Sequence, residues 1–172
     1  MKRVLLAMVL LLGAPLAWAA GVVHSAAGRA WIEGSGTILP VQEGVAVAEG
    51  AILHTDNDAR VVLRFDDGQM AAIGPDSSFK VEHYRFDQAL PAQGSSAFAL
   101  LKGGLRMVTG LMGKLNPASF SLKTPSASIG VRGTDFMVAM EGSVYITVDE
   151  GAIAASNLSL IHISEPTRRY AI

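Results

Sequence analysis

The stretch Phe120-Ser-Leu-Lys-Thr-Pro-Ser-Ala-Ser-Ile-Gly-Val-Arg-Gly-Thr-Asp-Phe-Met-Val138 decides the fold class of this chain. Phe120 and Leu122 alternate with Ser121 and Lys123. After Pro125, Ala127, Ile129 and Val131 alternate with Ser126, Ser128, Gly130 and Arg132. Beyond Gly133-Thr134, Phe136, Val138 and Met140 resume the apolar side. Period-two patterning broken by Pro and Gly predicts half-buried strands joined by tight turns, here strand, turn, strand, turn, strand. No catalytic constellation lies inside the segment, so its most distinctive residues serve a sheet.

The same alternation extends toward the amino terminus. Gly21 to Ser25, Arg29 to Glu33, Thr37 to Gln42 and Ala51 to Thr55 read as strands. Ala59, Val61, Leu63 and Phe65 form an apolar face, and Asp66-Asp67-Gly68 predicts a two-residue hairpin turn with positive φ. Gln69 to Ile73 returns, and Ser78 to Tyr84 follows with Phe79 and Val81 inward; Asp87 to Ser96 is a polar loop. Ala97 to Lys102, Leu105 to Thr109 and Ser143 to Val148 are further strands. No helical period is sustained after the amino-terminal segment, so the class is all-β. Glu49-Gly50-Ala51-Ile52 recurs as Glu150-Gly151-Ala152-Ile153, with Lys102-Gly103-Gly104-Leu105 a looser relative. A repeated turn-plus-strand unit predicts a short β-solenoid-like stack; the alternative is a β-sandwich of hairpins that reuse Gly turns.

The two ends read differently. Lys2 and Arg3, the apolar run Val4 to Leu12 and Ala17-Trp18-Ala19 have the charge, core and small-x-small site of a helical signal peptide, residues 1–19. Leu158 to Arg168 reads as the conceptual translation of a transposase sequencing adapter, which would leave 158–172 without evolved function. That leaves 20–157 as one all-β domain, carboxyl-terminally truncated, with ten basic and fourteen acidic side chains, a balance of −4. Such a charge gives no reason to seek nucleic acid or an anionic membrane. The chain has no Cys, so disulfides contribute nothing and the core must stabilise the domain.

Catalysis needs a nucleophile with a nearby base and an orienting acid. His24, His54 and His83 fall on separate predicted strands, and none lies by a Gly-x-Ser-x-Gly elbow. Ser77-Ser-Phe-Lys80 matches Ser-x-x-Lys, but residues three apart in a strand face opposite ways. Asp56, Asp58, Asp66, Asp67 and Asp76 cluster at turns without a calcium-loop pattern. No catalytic, cofactor or metal residue is therefore assigned. Gly133 is expected to make a tight turn, with Arg132 pairing locally to Asp135 or Glu150; the alternative is an exposed Arg132 that grips a partner carboxylate. Leu111, Met112 and Leu115 lie among chain breakers, as a lid on the core or as an exposed patch for a partner.

Five short motifs in order carry a resemblance. They are Glu49-Gly-Ala-Ile-Leu-His-Thr55, Val61-Val-Leu-Arg-Phe-Asp-Asp-Gly68, Leu101-Lys-Gly-Gly-Leu-Arg106, Lys123 to Phe136, and Val148-Asp-Glu-Gly151. Over roughly Gly44 to Ala155 the chain resembles the FecR-type periplasmic domain family. The resemblance implies structural roles for the motif residues Asp67, Gly68, Gly103, Arg132, Gly133 and Thr134. It also implies signalling: such regulators sense an occupied outer-membrane transporter and relay this through one membrane span to a cytoplasmic sigma factor. Only Met1-Lys-Arg3 precedes the apolar run here, which favours a stand-alone exported version acting as an interaction or scaffold module. The expectation is thus a non-enzymatic, periplasmic or secreted module. It would bind a protein or envelope component through strand-edge pairing, with no membrane insertion after signal cleavage. The alternatives are an inner-membrane-anchored relay that keeps Val4 to Leu16, and a glycan-binding or hydrolytic solenoid. Trp31, Tyr84 and Tyr145 are too few polar aromatics to favour the last.

Overall fold

The computed structural model describes residues 19–34, 36–156 and the strand 161–164. The expected signal segment up to residue 18, and most of the tail beyond 157, lie outside the described residues. The elements run β1 (Ala19–Ala27), β2 (Ala30–Gly34), β3 (Thr37–Pro40), β4 (Ala46–Ala48), β5 (Ile52–Thr55), β6 (Arg60–Arg64) and β7 (Met70–Ile73). Then come β8 (Ser78–Arg85), β9 (Ser95–Lys102), β10 (Gly104–Val108), α1 (Leu111–Leu115), β11 (Phe120–Lys123), β12 (Ser128–Glu141), β13 (Ser143–Ser156) and β14 (Ile161–Ser164).

The all-β expectation holds. The strands make one curled sheet in the order β3-β2-β5-β8-β9-β11-β12-β10-β7-β6-β1-β4, with β13 branching from β12 and β14 from β13. Most pairings are antiparallel; β9 with β11 and β13 with β14 are parallel. The last of these is the one rung-like step: Ile161 lies beside Val144, seventeen residues earlier in the chain.

Alternation determines what the sheet encloses. Val61, Leu63, Phe65, Phe79, Val81, Leu122, Ile129, Phe136 and Val138 are all at most 2% exposed, the set that period-two reading places inward. Aromatic rings run through this interior from end to end. Phe65 meets Tyr84 and Phe98 at 5.1 and 5.2 Å; Phe98 meets Phe79 and Phe120 at 5.5 and 5.9 Å; Phe120 meets Phe136 edge-on at 6.3 Å. Separations of this size favour offset and edge-to-face contacts beyond simple burial.

Three local expectations are corrected. The Asp66-Asp67-Gly68 loop is a three-residue turn: the Gly68 N–H donates to Phe65 O, the Phe65 N–H to Gln69 O, and only Gly68 has positive φ. Its geometry is a type I turn followed by a left-handed glycine, not the two-residue form in which both central residues are left-handed. Asp67 stays right-handed because its carboxylate Oδ1 accepts the Gln69 N–H at 3.1 Å. Second, Leu111–Leu115 is a short helix, a turn too brief to show a helical period in sequence. Third, Gly133 is not a turn between strands. It lies inside the continuous strand β12, at φ 58°.

That third point shapes the molecule. Arg132 pairs with Ala152 and Asp135 with Glu150, so β12 carries one extra residue; Phe136 pairs with Val148, so β13 carries the next. Opposed bulges shift the inward parity of both strands and restore the register. On β12 the buried set changes from Ile129 and Val131 to Thr134, Phe136 and Val138. On β13 it changes from Val144, Ile146 and Val148 to the partly buried Ile153 and Ala155.

The double bulge is also a corner. From Val144 to Ser156 a straight strand would span about 40 Å. The chain from Ser156 to Ile161, which lies beside Val144, can reach at most about 18 Å. The two arms of β13 therefore fold toward each other at the bulge. The far edge of β12 agrees: β11 pairs with Ser128–Ile129 on one side of the corner, and β10 with Asp135–Ala139 on the other.

Candidate functional site

Three of the six motif residues, Arg132, Gly133 and Thr134, meet at this corner. Thr134 is 2% exposed, and its hydroxyl donates to Ala152 O at 2.8 Å while accepting the Arg132 N–H at 3.1 Å. Its backbone is held by Thr109: the Thr134 N–H donates to Thr109 Oγ1 at 2.8 Å, and the Thr109 N–H to Thr134 O at 3.0 Å. These bonds satisfy backbone groups that the bulges remove from the ladder. Gly151, at φ 87°, faces Gly133 so closely that a Cβ there would collide with the Gly133 carbonyl.

Arg132 is exposed and its side chain makes no bond among the described residues, so the expected pairing with Asp135 or Glu150 is corrected. Asp135 is taken by Arg106, whose Nε and Nη2 donate to its two carboxylate oxygens at 2.9 and 2.7 Å, with Asp149 at 3.2 Å from Nη2. The bond to Asp135, then its charge, hold the Arg106 guanidinium protonated. The wrong partner follows from the bulge: Arg132 and Asp135 flank the inserted residue, whereas Arg106 reaches Asp135 diagonally across the β10–β12 ladder.

Two further motif positions support loops. Gly103, at φ 82°, passes over Ser77, and a Cβ there would strike the Ser77 hydroxyl. Ser77 is 1% exposed; its Oγ accepts the Gly104 N–H at 2.9 Å, and the Ser77 N–H donates to Thr55 Oγ1 at 2.9 Å. This hydroxyl role, not chemistry with Lys80, accounts for Ser77. Asp67 and Tyr84 exchange bonds: the Asp67 N–H donates to the phenol oxygen at 3.1 Å, and the phenol donates to Asp67 Oδ1 at 3.2 Å. Burial, above all, pushes the Tyr84 phenol far above its ordinary range. Asp67 O accepts the Leu111 N–H at 2.9 Å, and so starts α1.

The Leu111, Met112 and Leu115 set divides. Met112 is 1% exposed and packs on Gly94, which removes it as a partner contact; Leu111 and Leu115 are 41% and 54% exposed.

The histidines call for another correction. His83 lies 3.0 Å from Ser95 Oγ by Nε2 and 3.0 Å from Glu49 Oε2 by Nδ1. His54 similarly lies 2.9 Å from Ser78 Oγ and 3.5 Å from Glu33. Each set has the order of a Ser-His-acid triad, which strand-by-strand reading missed because the partners come from separate strands and, for Glu49, from the turn after β4. The arrangement is a cross-strand polar ladder: His54 is the direct register partner of Ser78. The side chains of His83 and Glu49 are 46% and 49% exposed. Water then competes for the pair. Among the described residues no group of three His, Asp or Glu side chains is placed to hold a metal ion.

An open cleft of about 760 Å³ lies between Ala48–Glu49, Asp66 and Tyr84–Gln88. Its carboxylates are Glu49, Asp66 and Asp87, and Glu49 is already engaged by His83 and by the Tyr84 N–H at 3.0 Å. No helix among the described residues is long and apolar enough to cross a membrane.

What the motif residues do collectively is shape backbone. What they leave exposed is strand edge: β3, β4 and much of β13 lack a second neighbour among the described residues. Compared with known families, residues 51–154 match the one described as FecR protein. No curated protein matches the chain significantly.

Proposed function

This chain belongs to the FecR protein family, and from that premise we propose that it is a non-enzymatic interaction module of the cell envelope. Its partner is a protein or another envelope component, bound by strand-edge pairing. The family is regulatory and signalling-related, which supports a binding role over a chemical one. One observation carries the reading: Thr134, Gly133, Gly103 and Asp67 are consumed by turns, bulges and backbone bonds, while strand edges stay open. The family and the signal-like segment 1–19 support a periplasmic or secreted setting.

Two measurements test it. Photo-crosslinking residues placed one at a time on β3, β4 and β13 in envelope-localised protein should give discrete adducts from one edge; adducts from none would refute the binding mode. The purified protein should hydrolyse p-nitrophenyl esters no faster than buffer, and Ser95→Ala should change nothing. Turnover lost in Ser95→Ala and in His83→Ala would make the ladder an active site.

A further inference from the structure

Of the edges that lack a second neighbour among the described residues, which include that of β14 itself, those of β3 and β4 are blunted. The β3 edge is four residues long and ends in Pro40; β4 is three residues long. Short edges and proline discourage added strands. The β13 strand is longer, and the device it carries is the bulge at Asp149. It spans fourteen residues, and β12 covers one edge along its whole length. On the other edge β14 pairs with Val144–Thr147 only, so Val148–Ser156 has no strand neighbour among the described residues. Within it, Gly151-Ala-Ile-Ala-Ala-Ser156 has no charge and no proline.

We propose that the outer edge of β13 is a strand-acceptor site for an extended segment that runs parallel to β13 and places a basic side chain at Glu150. This rests on the interaction reading above and specifies its edge, direction and partner chemistry. Direction comes from β14: residues 161–164 of this same chain already occupy part of the edge in parallel register. In that register Ile161 lies opposite Val144 and Ile163 opposite Ile146, the inward positions of β13. An incoming segment with apolar residues at alternate positions continues the core over the edge. Charge comes from the corner. Asp149 is paired with Arg106, whereas Glu150 is exposed and makes no ion pair among the described residues. It is thus the acidic group beside the open stretch that still lacks a counter-ion. A second copy of this chain would bring no basic side chain in its own 143–156 strand, which disfavours self-pairing there.

The test uses the full chain with Ile161→Pro and Ile163→Pro, which withdraw β14 from the edge of β13. The probe is a labelled designed peptide of alternating Ile and Thr with one Lys in register with Glu150. Saturable binding is expected, with amide exchange slowed across β13. A Lys-to-Glu version of the peptide should bind about fivefold more weakly, the scale of one exposed ion pair. Adding Glu150→Lys to that same β14-withdrawn chain should reverse that preference. Protection on β3 or β4 instead would overturn the edge assignment and leave the strand-pairing reading standing. A defined dimer with β13 protected before peptide is added would overturn the occupant. No saturable binding at any edge would remove both.

Discussion

At the residue scale, Gly151 and Gly133 share one bulge pair but are not equivalent. A Cβ on Gly151 meets the Gly133 and Arg132 carbonyl oxygens, whereas one on Gly133 meets only Lys114 Cγ at 3.9 Å. Both have positive φ. Gly133→Ala should therefore cost about 1 kcal/mol, the left-handed penalty alone. Gly151→Ala should cost about 3 kcal/mol or more because a backbone carbonyl cannot move aside cheaply. Urea denaturation of the pair measures the gap, and equal losses would contradict the corner geometry. Tyr84 gives a pH prediction. Its phenol is held in the neutral form when folded, so the native state keeps a proton that the unfolded chain releases. Stability should then fall as pH rises past about 10, where unfolded tyrosine ionises. Tyr84→Phe should remove that part of the alkaline slope while costing about 1–2 kcal/mol at neutral pH, because Asp67 loses a partner on both its N–H and its carboxylate.

The element scale shows where local reading succeeds. Strand faces such as Val61-Leu63-Phe65 and Phe79-Val81 are inward as alternation requires, because side chains project alternately whatever the tertiary context. Boundaries set by partners were not legible. The β4 strand, Ala46–Ala48, exists because it pairs with β1, and its three residues are too few to show a period. The Gly133 bulge looked like a turn because both devices change apolar parity and both use glycine. For α1 the useful distinction is between its faces. Met112→Ala should destabilise by about 2–4 kcal/mol through the cavity it leaves. Leu111→Ala and Leu115→Ala should each stay within about 0.5 kcal/mol. Thermal melts of the three variants check this; a large loss at Leu115 would mean that its side chain is covered.

At the scale of the whole molecule, the aromatic interior joins the two sides of the corner. Phe98 contacts Phe65, Phe79 and Phe120, and Phe120 passes the contact to Phe136 on β12. One continuous core predicts one cooperative transition. Phe98→Ala should cost about 3–5 kcal/mol and lower the near- and far-ultraviolet dichroism transitions together. Separated transitions would show that the two arms fold independently. The motif sites follow the same logic of distance. Asp67 and Gly68 could be recognised as a turn from neighbours alone, but Tyr84, Thr109 and Arg106 could not be assigned to Asp67, Thr134 and Asp135. Each of those partners lies at least seventeen residues away in the chain, and no spacing rule links such pairs.

By itself, the amino-acid order determined the all-β class, inward faces such as Val61-Leu63-Phe65 and Phe79-Val81, and the turn that ends at Gly68. Those depend on side-chain alternation and on backbone angles that only nearby residues set. Tertiary structure alone decided that Gly133 and Gly151 form a facing pair, that β13 bends back on itself, and which strands lie at the edges among the described residues. Those outcomes depend on which distant strands become neighbours, and hydrogen bonds between strands carry no sequence signal of their own until the register is chosen.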